Sequence, residues 1–415
     1  MNYVSLCFLA LFLLPLGSFH TDSKRLPPLP VPPFNIPQAE ICRYLGLDYR
    51  SINLPALYVF GDSFIDAGNN NYLDTTSKAN YAPYGIDFGG VATGRPTNGR
   101  TVVDFIAQVV GLPFPPPVMG LSGSQRKITT GLNYGSSSGG ILPLPSSLAP
   151  IFGHVLSFDE QIQLFNHTVS NLKGQFHSLE SFDSYMSSSL FFVHIGGNDL
   201  ALYRELGKLH EELFSVKKYT LLLSNELYSR LEAMYELGAR KFVVNNAFPF
   251  GCQPVNLHQK TNDTSFLEDM NERAALFNGR LHKILRKLNK SLKGSTFVLF
   301  DMYKLFEDVL AQPATYGKQC MHAQTIIYFL PLKFNKFNLQ YKTIPMSLNV
   351  GFTNINDSCC IDVAGDQSRT CLPSSVPCAD RKSHVFFDPF HPSESIHFLW
   401  FRRLFQDNLL DLIQS

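Results

Sequence analysis

Ser63 sits in Phe60-Gly61-Asp62-Ser63-Phe64, directly after the apolar run 56 to 60. A serine hydroxyl is a weak nucleophile until an imidazole takes its proton and a carboxylate orients that imidazole. Phe387-Asp388-Pro389-Phe390-His391-Pro392 supplies both groups in one short stretch, and its two prolines restrict the backbone around Asp388 and His391. Acyl transfer also needs donors for the developing oxyanion. Asn198, in Gly196-Gly197-Asn198-Asp199, offers a side-chain amide after a second apolar run. Taken singly, each motif has a plain structural explanation as a turn or a loop dipeptide. Placed together behind strand-like runs, they point to serine-dependent acyl transfer.

The elements that must hold these residues are legible as alternating strands and helices. Short apolar runs at 56 to 60, 189 to 195, 241 to 248 and 295 to 301 read as strands. Between them Ser157-x-x-Glu160 and Ser265-x-x-Glu268 read as capping boxes at helix starts. Leu223, Leu227, Leu231, Met234 and Leu237 follow helical spacing up to Gly238, a C-terminal cap. Continuous apolar strands separated by helices imply a parallel sheet covered on both faces, which places Ser63 and Asn198 at the carboxyl edge where such sheets bind ligands.

Charged residues are only 17% of the chain and hydrophobic ones 45%, which excludes a disordered protein. Thirty-five basic residues nearly balance thirty-four acidic ones, and no basic stripe suggests nucleic acid as a partner. Residues 6 to 16 form an apolar run of secretory length, too short to span a bilayer, so residues 1–20 read as a signal peptide and no transmembrane anchor is expected. Asn166, Asn262, Asn289 and Asn356 each begin an Asn-x-Ser/Thr glycosylation acceptor. Residues 21–53 begin rich in proline and read as an extended arm, with the folded domain over 54–415.

Of eight cysteines, Cys7 leaves with the signal, and Cys359, Cys360, Cys371 and Cys378 crowd into one loop. That crowding favours disulfides over a zinc site, because adjacent Cys359 and Cys360 cannot easily share one tetrahedral ion. No metal or cofactor is called for.

The chain resembles the plant GDSL esterases and lipases of the SGNH hydrolase superfamily. The similarity runs through ALYVFGDSFIDAGNNNYL at 56 to 73, GRPTNGRTVVDFIA at 94 to 107, GLNYGSSSGGIL at 131 to 142, HIGGND at 194 to 199 and FFDPFHPSES at 386 to 395. The resemblance implies a flavodoxin-like α/β/α sandwich with a central parallel sheet. It further implies metal-free ester hydrolysis through an acyl-enzyme, with Ser63 as nucleophile, His391 as general base and Asp388 as its orienter. An oxyanion hole is implied from the Ser63 N–H, the Gly139 N–H in preference to that of Gly140, and the Asn198 side chain. Expected substrates are small-molecule, lipid or polymer esters, met outside the cell in the apoplast; the oligomeric state is left open.

Three departures from the family pattern stand out. Phe64 replaces leucine, changing the packing behind the turn, and Gly135 replaces alanine, adding flexibility near Gly139. Residues 318–350 interrupt a stretch that the family runs without a break. Gly317-Lys318-Gln319 can be encoded GGT-AAG-CAR and Val350-Gly351 GTA-GGT, which contain donor and acceptor sequences, so the segment reads as an intron retained in frame, with a genuine family-specific loop as the alternative. Without that segment Cys320 is lost and six mature cysteines allow three bridges.

Two other readings compete. Gly135-Ser136-Ser137-Ser138-Gly139 fits the nucleophile-elbow pattern, with Ser137 as the serine. Gly140, Pro143 and Pro145 oppose the helix which that elbow requires. The other is a catalytically silent extracellular scaffold that binds lipid or glycan on an inherited hydrolase fold.

Overall fold

A computed structural model describes residues 31–122, 128–203, 215–258, 265–311, 352–361, 371–373 and 375–414. The segment 318–350, the signal region, Asn262 and the cysteines at 7 and 320 lie outside them.

All four apolar runs are strands: β1 (Leu57–Gly61), β2 (Leu190–His194), β3 (Lys241–Asn245) and β4 (Thr296–Phe300). They pair in parallel in that order, with Leu57 beside Leu190 and Phe242 beside Phe297. Residues 130–134 extend the sheet along the free side of β1. Leu57 and Val59 donate to Thr130 O and Leu132 O at 3.1 and 3.0 Å, and Tyr134 N–H returns to Val59 O at 2.8 Å. Counted in chain order with this edge segment second, the sheet runs 2-1-3-4-5, the flavodoxin-like order, with its topological switch between β1 and β2.

Helices cover both faces. On one side pack α1 (Gln38–Leu45), α2 (Val102–Val110) and, from the far end of the chain, α6 (Glu394–Leu404); on the other lie α3 (Phe158–Lys173), α4 (Val216–Glu236) and α5 (Ser265–Ser291). Alternation along the strands decides which ring goes where. Tyr58, Phe60 and Phe191 meet Phe165 of α3 edge-on, at centroid distances of 5.4, 5.4 and 5.6 Å. Phe192, on the opposite face, meets the buried Trp400 of α6 at 5.8 Å.

Helix ends follow the expected chemistry where they are described. Ser157 and Glu160 exchange their capping bonds at the start of α3. α5 begins at Ser265, at the border of the described residues, so its capping box is not resolved. Leu223, Leu227, Leu231 and Met234 are buried on α4, and Gly238 follows with φ of 105°, a left-handed conformation that suits a glycine cap.

The supposed arm is part of the fold from residue 31 onward. α1 buries Ile41 and Cys42 completely, and Ile52 and Leu54 join the same core. Among the described residues no helix is long and apolar enough to cross a membrane.

A small parallel pair, β5 (Asn354–Ser358) and β6 (His384–Phe386), precedes the Asp388–His391 segment. Two disulfides follow β5, Cys359–Cys378 and Cys360–Cys371, so these four sulfurs are bridged rather than free to hold zinc. In this chain, which carries residues 318–350, Cys42 is a free thiol buried against Val109 O. Burial pushes that thiol up to about 11, so it is inert as a nucleophile. Cys252 is disulfide-bonded.

Candidate active site

β1 ends at Gly61, whose φ of 151° and crowding leave no room for a side chain: a Cβ would lie 1.9 Å from His194 O. Gln161 of α3 fixes the same glycine on both sides, accepting from Gly61 N–H at 2.8 Å and donating to Gly61 O at 2.9 Å. Ser136 N–H also reaches Gly61 O, at 3.0 Å. The chain therefore turns at a fixed point and presents Ser63, partly exposed, between buried Asp62 and Phe64.

A buried polar lattice holds the residues after the turn. Asp66 accepts from Gly68 N–H and Asn69 N–H with one oxygen, and from Ser137 N–H and the Ser137 hydroxyl with the other, at 2.7 to 3.0 Å. Asn69 donates to Asn133 O and Gly135 O; Asn133 donates to Ile65 O and accepts from Gly135 N–H. Gly135 is thus bonded at both its N–H and its carbonyl, and the flexibility expected there is absent. Ser137 is bound to a carboxylate and followed by a turn rather than a helix, so the nucleophile-elbow reading fails.

Asp388 and His391 meet as the motif predicts. His391 Nδ1 lies 2.7 and 2.9 Å from the two Asp388 oxygens, while Asp388 also accepts from Phe390 N–H and His391 N–H at 2.8 Å. Tyr84, missed in the sequence, donates its hydroxyl to Asp388 at 2.6 Å. Asp388 is fully buried, which pushes its carboxyl up, but the His391 charge and hydrogen bond, the Tyr84 hydroxyl and Phe390 N–H outweigh burial and hold it below the ordinary carboxylate range. An ionised Asp388 therefore faces His391.

Phe64 carries the turn to this pair. Its ring packs edge-on to His391 at 6.0 Å, stacks on His194 at 5.1 Å and meets Phe248 at 5.2 Å, the altered packing expected of phenylalanine for leucine. Among the described residues the Ser63 hydroxyl and His391 make no hydrogen bond to each other, and such bonds are often formed only with substrate bound. Asn198, partly exposed after β2, donates one amide hydrogen to Gly139 O at 2.9 Å and keeps a second. Gly139 N–H donates to Ser136 O at 2.9 Å, whereas Gly140 N–H has no acceptor among the described residues. Asp199 fixes the following backbone, accepting from Ile141 and Leu142 N–H at 2.8 and 3.0 Å.

Asp62 faces His194, His391 and Asp199 from beneath the turn. Burial pushes its carboxyl up to about 7, against the Phe64 N–H and the His391 charge, with Asp199 adding to the rise. His194 lies 3.8 Å from Asp62, but burial drives the imidazole down to about 3, so the two are not an ion pair at neutral pH. A carboxyl with a raised folded-state pKa keeps its proton longer in the folded chain than in the unfolded one, and stability then falls as pH rises from the model-compound value of 3.8 to about 7. Asp62→Asn is expected to flatten this decline, gaining a few degrees of Tm over the parent at pH 7 relative to pH 4. Parallel Tm-against-pH curves for the two chains would refute the assignment.

Two buried ion pairs brace the site from behind. Arg95 makes a bidentate pair with Asp104 at 2.7 and 2.9 Å, and Arg100 bonds Glu394 at 2.7 Å. Arg100 also reaches Pro32 O and Pro33 O at 2.6 and 3.2 Å, and Asn98 accepts from Glu394 N–H at 2.9 Å. The C-terminal segment is thereby tied to residues some 290 positions earlier. The acceptors Asn166 and Asn289 are exposed and Asn356 is partly so; Asn289 already exchanges two bonds with Phe297 of β4, at 2.8 and 2.9 Å.

Comparison with known proteins agrees with this architecture. The family profile described as GDSL-like Lipase/Acylhydrolase matches residues 57–404. The chain is 34% identical over 346 residues to GDSL esterase/lipase 7 of Arabidopsis thaliana, covering 82% of this chain and 85% of that one. It is 33% identical over 353 residues to GDSL esterase/lipase At1g71691 of the same plant, covering 85% and 82%. The chain belongs to the GDSL-like lipase/acylhydrolase family, and it is a carboxylic ester hydrolase of the α/β type.

Proposed function

We propose that this protein is a secreted serine esterase or lipase, working through Ser63, His391 and Asp388 in the catabolism of lipids or other esters. The observation that carries the reading is the bond between His391 Nδ1 and a buried, ionised Asp388, on a segment packed against the Ser63 turn through Phe64. With Nδ1 occupied, Nε2 of His391 is left to take the Ser63 proton. The Ser63 oxygen then bonds the ester carbonyl carbon, and the alcohol departs with the proton held on His391. Water, deprotonated by the same imidazole, attacks the acyl carbon; the acyl–oxygen bond to Ser63 breaks, the proton passes from His391 to the Ser63 oxygen, and the carboxylic acid is released.

Negative charge on the tetrahedral oxygen would be met by the Ser63 N–H and the second amide hydrogen of Asn198. Gly139 N–H can join them by sharing the proton it now gives to Ser136 O, and Gly140 N–H is the competing donor. No step requires a metal or cofactor. Secretion rests on the N-terminal apolar run and the glycosylation acceptors.

The test is to treat the protein with a fluorophosphonate and map the labelled peptide. The mark is expected on Ser63 and to vanish in His391→Ala; a mark on another serine, or none on either the full chain or one lacking 318–350, would overturn the triad. Repeating the treatment on a chain lacking 318–350 separates an intrinsically silent scaffold, unlabelled in both forms, from a product silenced by that segment, labelled only in the shorter. Sequencing transcripts decides whether the segment is a retained intron.

A further inference from the structure

We propose that Tyr84 is a positioning residue for the general base, acting through Asp388; the inference rests on the triad reading above. The Tyr84 hydroxyl lies 2.6 Å from Asp388 Oδ2, the oxygen that His391 Nδ1 approaches at 2.7 Å. Two hydrogens therefore converge on one oxygen. A hydroxyl donating to a carboxylate at this distance makes a charge-assisted bond. It fixes the plane of the carboxylate and draws negative charge away from the atom that faces the imidazole.

Tyr84 has little freedom to do otherwise. It is 3% exposed and belongs to a satellite core, separate from the main one, formed with Ala79, Phe387 and both disulfides. Its ring packs edge-on against Phe387 at 5.7 Å and Tyr81 at 5.4 Å. Cys360 N–H donates to Phe387 O at 2.6 Å and Cys359 N–H to Phe386 O at 3.1 Å, so the bridged loop grips the strand that leads into Asp388. Tyr81, whose hydroxyl donates instead to Cys371 O at 2.9 Å, feels the Asp388 charge without bonding to it. Among the described residues, His391, Tyr84 and Tyr81 are the titratable groups that interact with Asp388, and Asp62 and His397 also face His391. The cysteine loop, read in the sequence as a staple, is the mount on which the catalytic carboxylate is aimed.

Tyr84→Phe keeps the ring and removes only the hydroxyl, and Tyr81→Phe removes a neighbouring hydroxyl from the same cluster. With a soluble ester, Tyr84→Phe is expected to lower kcat by about 10- to 100-fold, the worth of a hydrogen bond to a charged group, with KM little changed. The acid limb of its kcat/KM profile is expected to move to higher pH, because a carboxylate relieved of one donor pairs more strongly with a protonated imidazole. Tyr81→Phe is expected to lower Tm without moving the limb. Equal effects of the two changes on kcat and on the limb, with Ser63 still labelled by fluorophosphonate, would overturn this inference alone. Failure of Ser63 to label both in the parent chain and in the chain lacking 318–350 would overturn the triad and this inference together.

Discussion

Ser63→Ala and His391→Ala are each expected to reduce kcat/KM for a soluble ester by about 10⁴-fold or more, with Tm almost unchanged in Ser63→Ala and lowered in His391→Ala, which takes a hydrogen-bond partner from the buried Asp388. Serine and histidine of a triad act as one unit, so losing either removes nearly all of their joint contribution, and the double variant should be little worse than either single one. What survives in both would be the contribution of the oxyanion donors and of binding. The side chains support the expectation that both variants still fold: Ser63 and His391 are partly exposed, neither supplies a bond to the lattice around Asp66, and Asp388 keeps the Tyr84 hydroxyl and the backbone N–H groups of residues 390 and 391 when the imidazole is lost. Steady-state kinetics beside thermal unfolding checks both halves. A Ser63→Ala protein retaining a tenth of parental activity would show that another residue is the nucleophile.

Arg100→Met is expected to be among the most destabilising single changes in the chain, costing about 3 to 5 kcal/mol, because it leaves Glu394 without its partner in a buried setting. Burial already pushes the Glu394 carboxyl up against the opposing Arg100 charge, so without the arginine it would protonate or draw in water. The same change orphans the carbonyls of Pro32 and Pro33 and removes a guanidinium stacked 4.5 Å over Phe105. Replacing both partners with apolar residues of similar volume, as in Arg100→Met with Glu394→Met, should recover part of the loss. Urea unfolding of the three chains measures this; a single variant within 1 kcal/mol of the parent would mean that the pair is solvated.

The parts of the fold that carry local pattern were the parts legible in the sequence. β1 to β4 announce themselves as apolar runs because both faces of a covered parallel sheet are buried. The edge segment 130–134 does not, since Asn133 and the following Gly135 serve the polar lattice rather than a strand pattern. α1 follows a run of prolines and buries only Ile41 and Cys42, too short an apolar stripe to mark a helix.

Ser63, Asp388, His391 and Asn198 are legible as candidates because their motifs are compact. Tyr84, Arg100 and Glu394 escaped because their partners lie about 300 positions away, and a buried arginine or tyrosine looks the same in a sequence as an exposed one. Asp62 was visible as a letter of the serine motif, yet only its burial reveals an acid that holds its proton toward neutrality.

The bond between Tyr84 and Asp388 spans 304 positions, and residues 318–350 fall inside that span. The entropy lost on closing a loop grows only with the logarithm of its length, so extending this one from about 270 to about 300 residues adds roughly 0.1 kcal/mol. As mere length, the extra segment is therefore nearly invisible to the closure that brings base and orienter home. Any penalty it imposes must come from where its atoms go. Truncation is another matter: a chain cut before residue 388 retains the residues of every described strand and of the Ser63 turn, but lacks the carboxylate and the imidazole that the proposed triad requires.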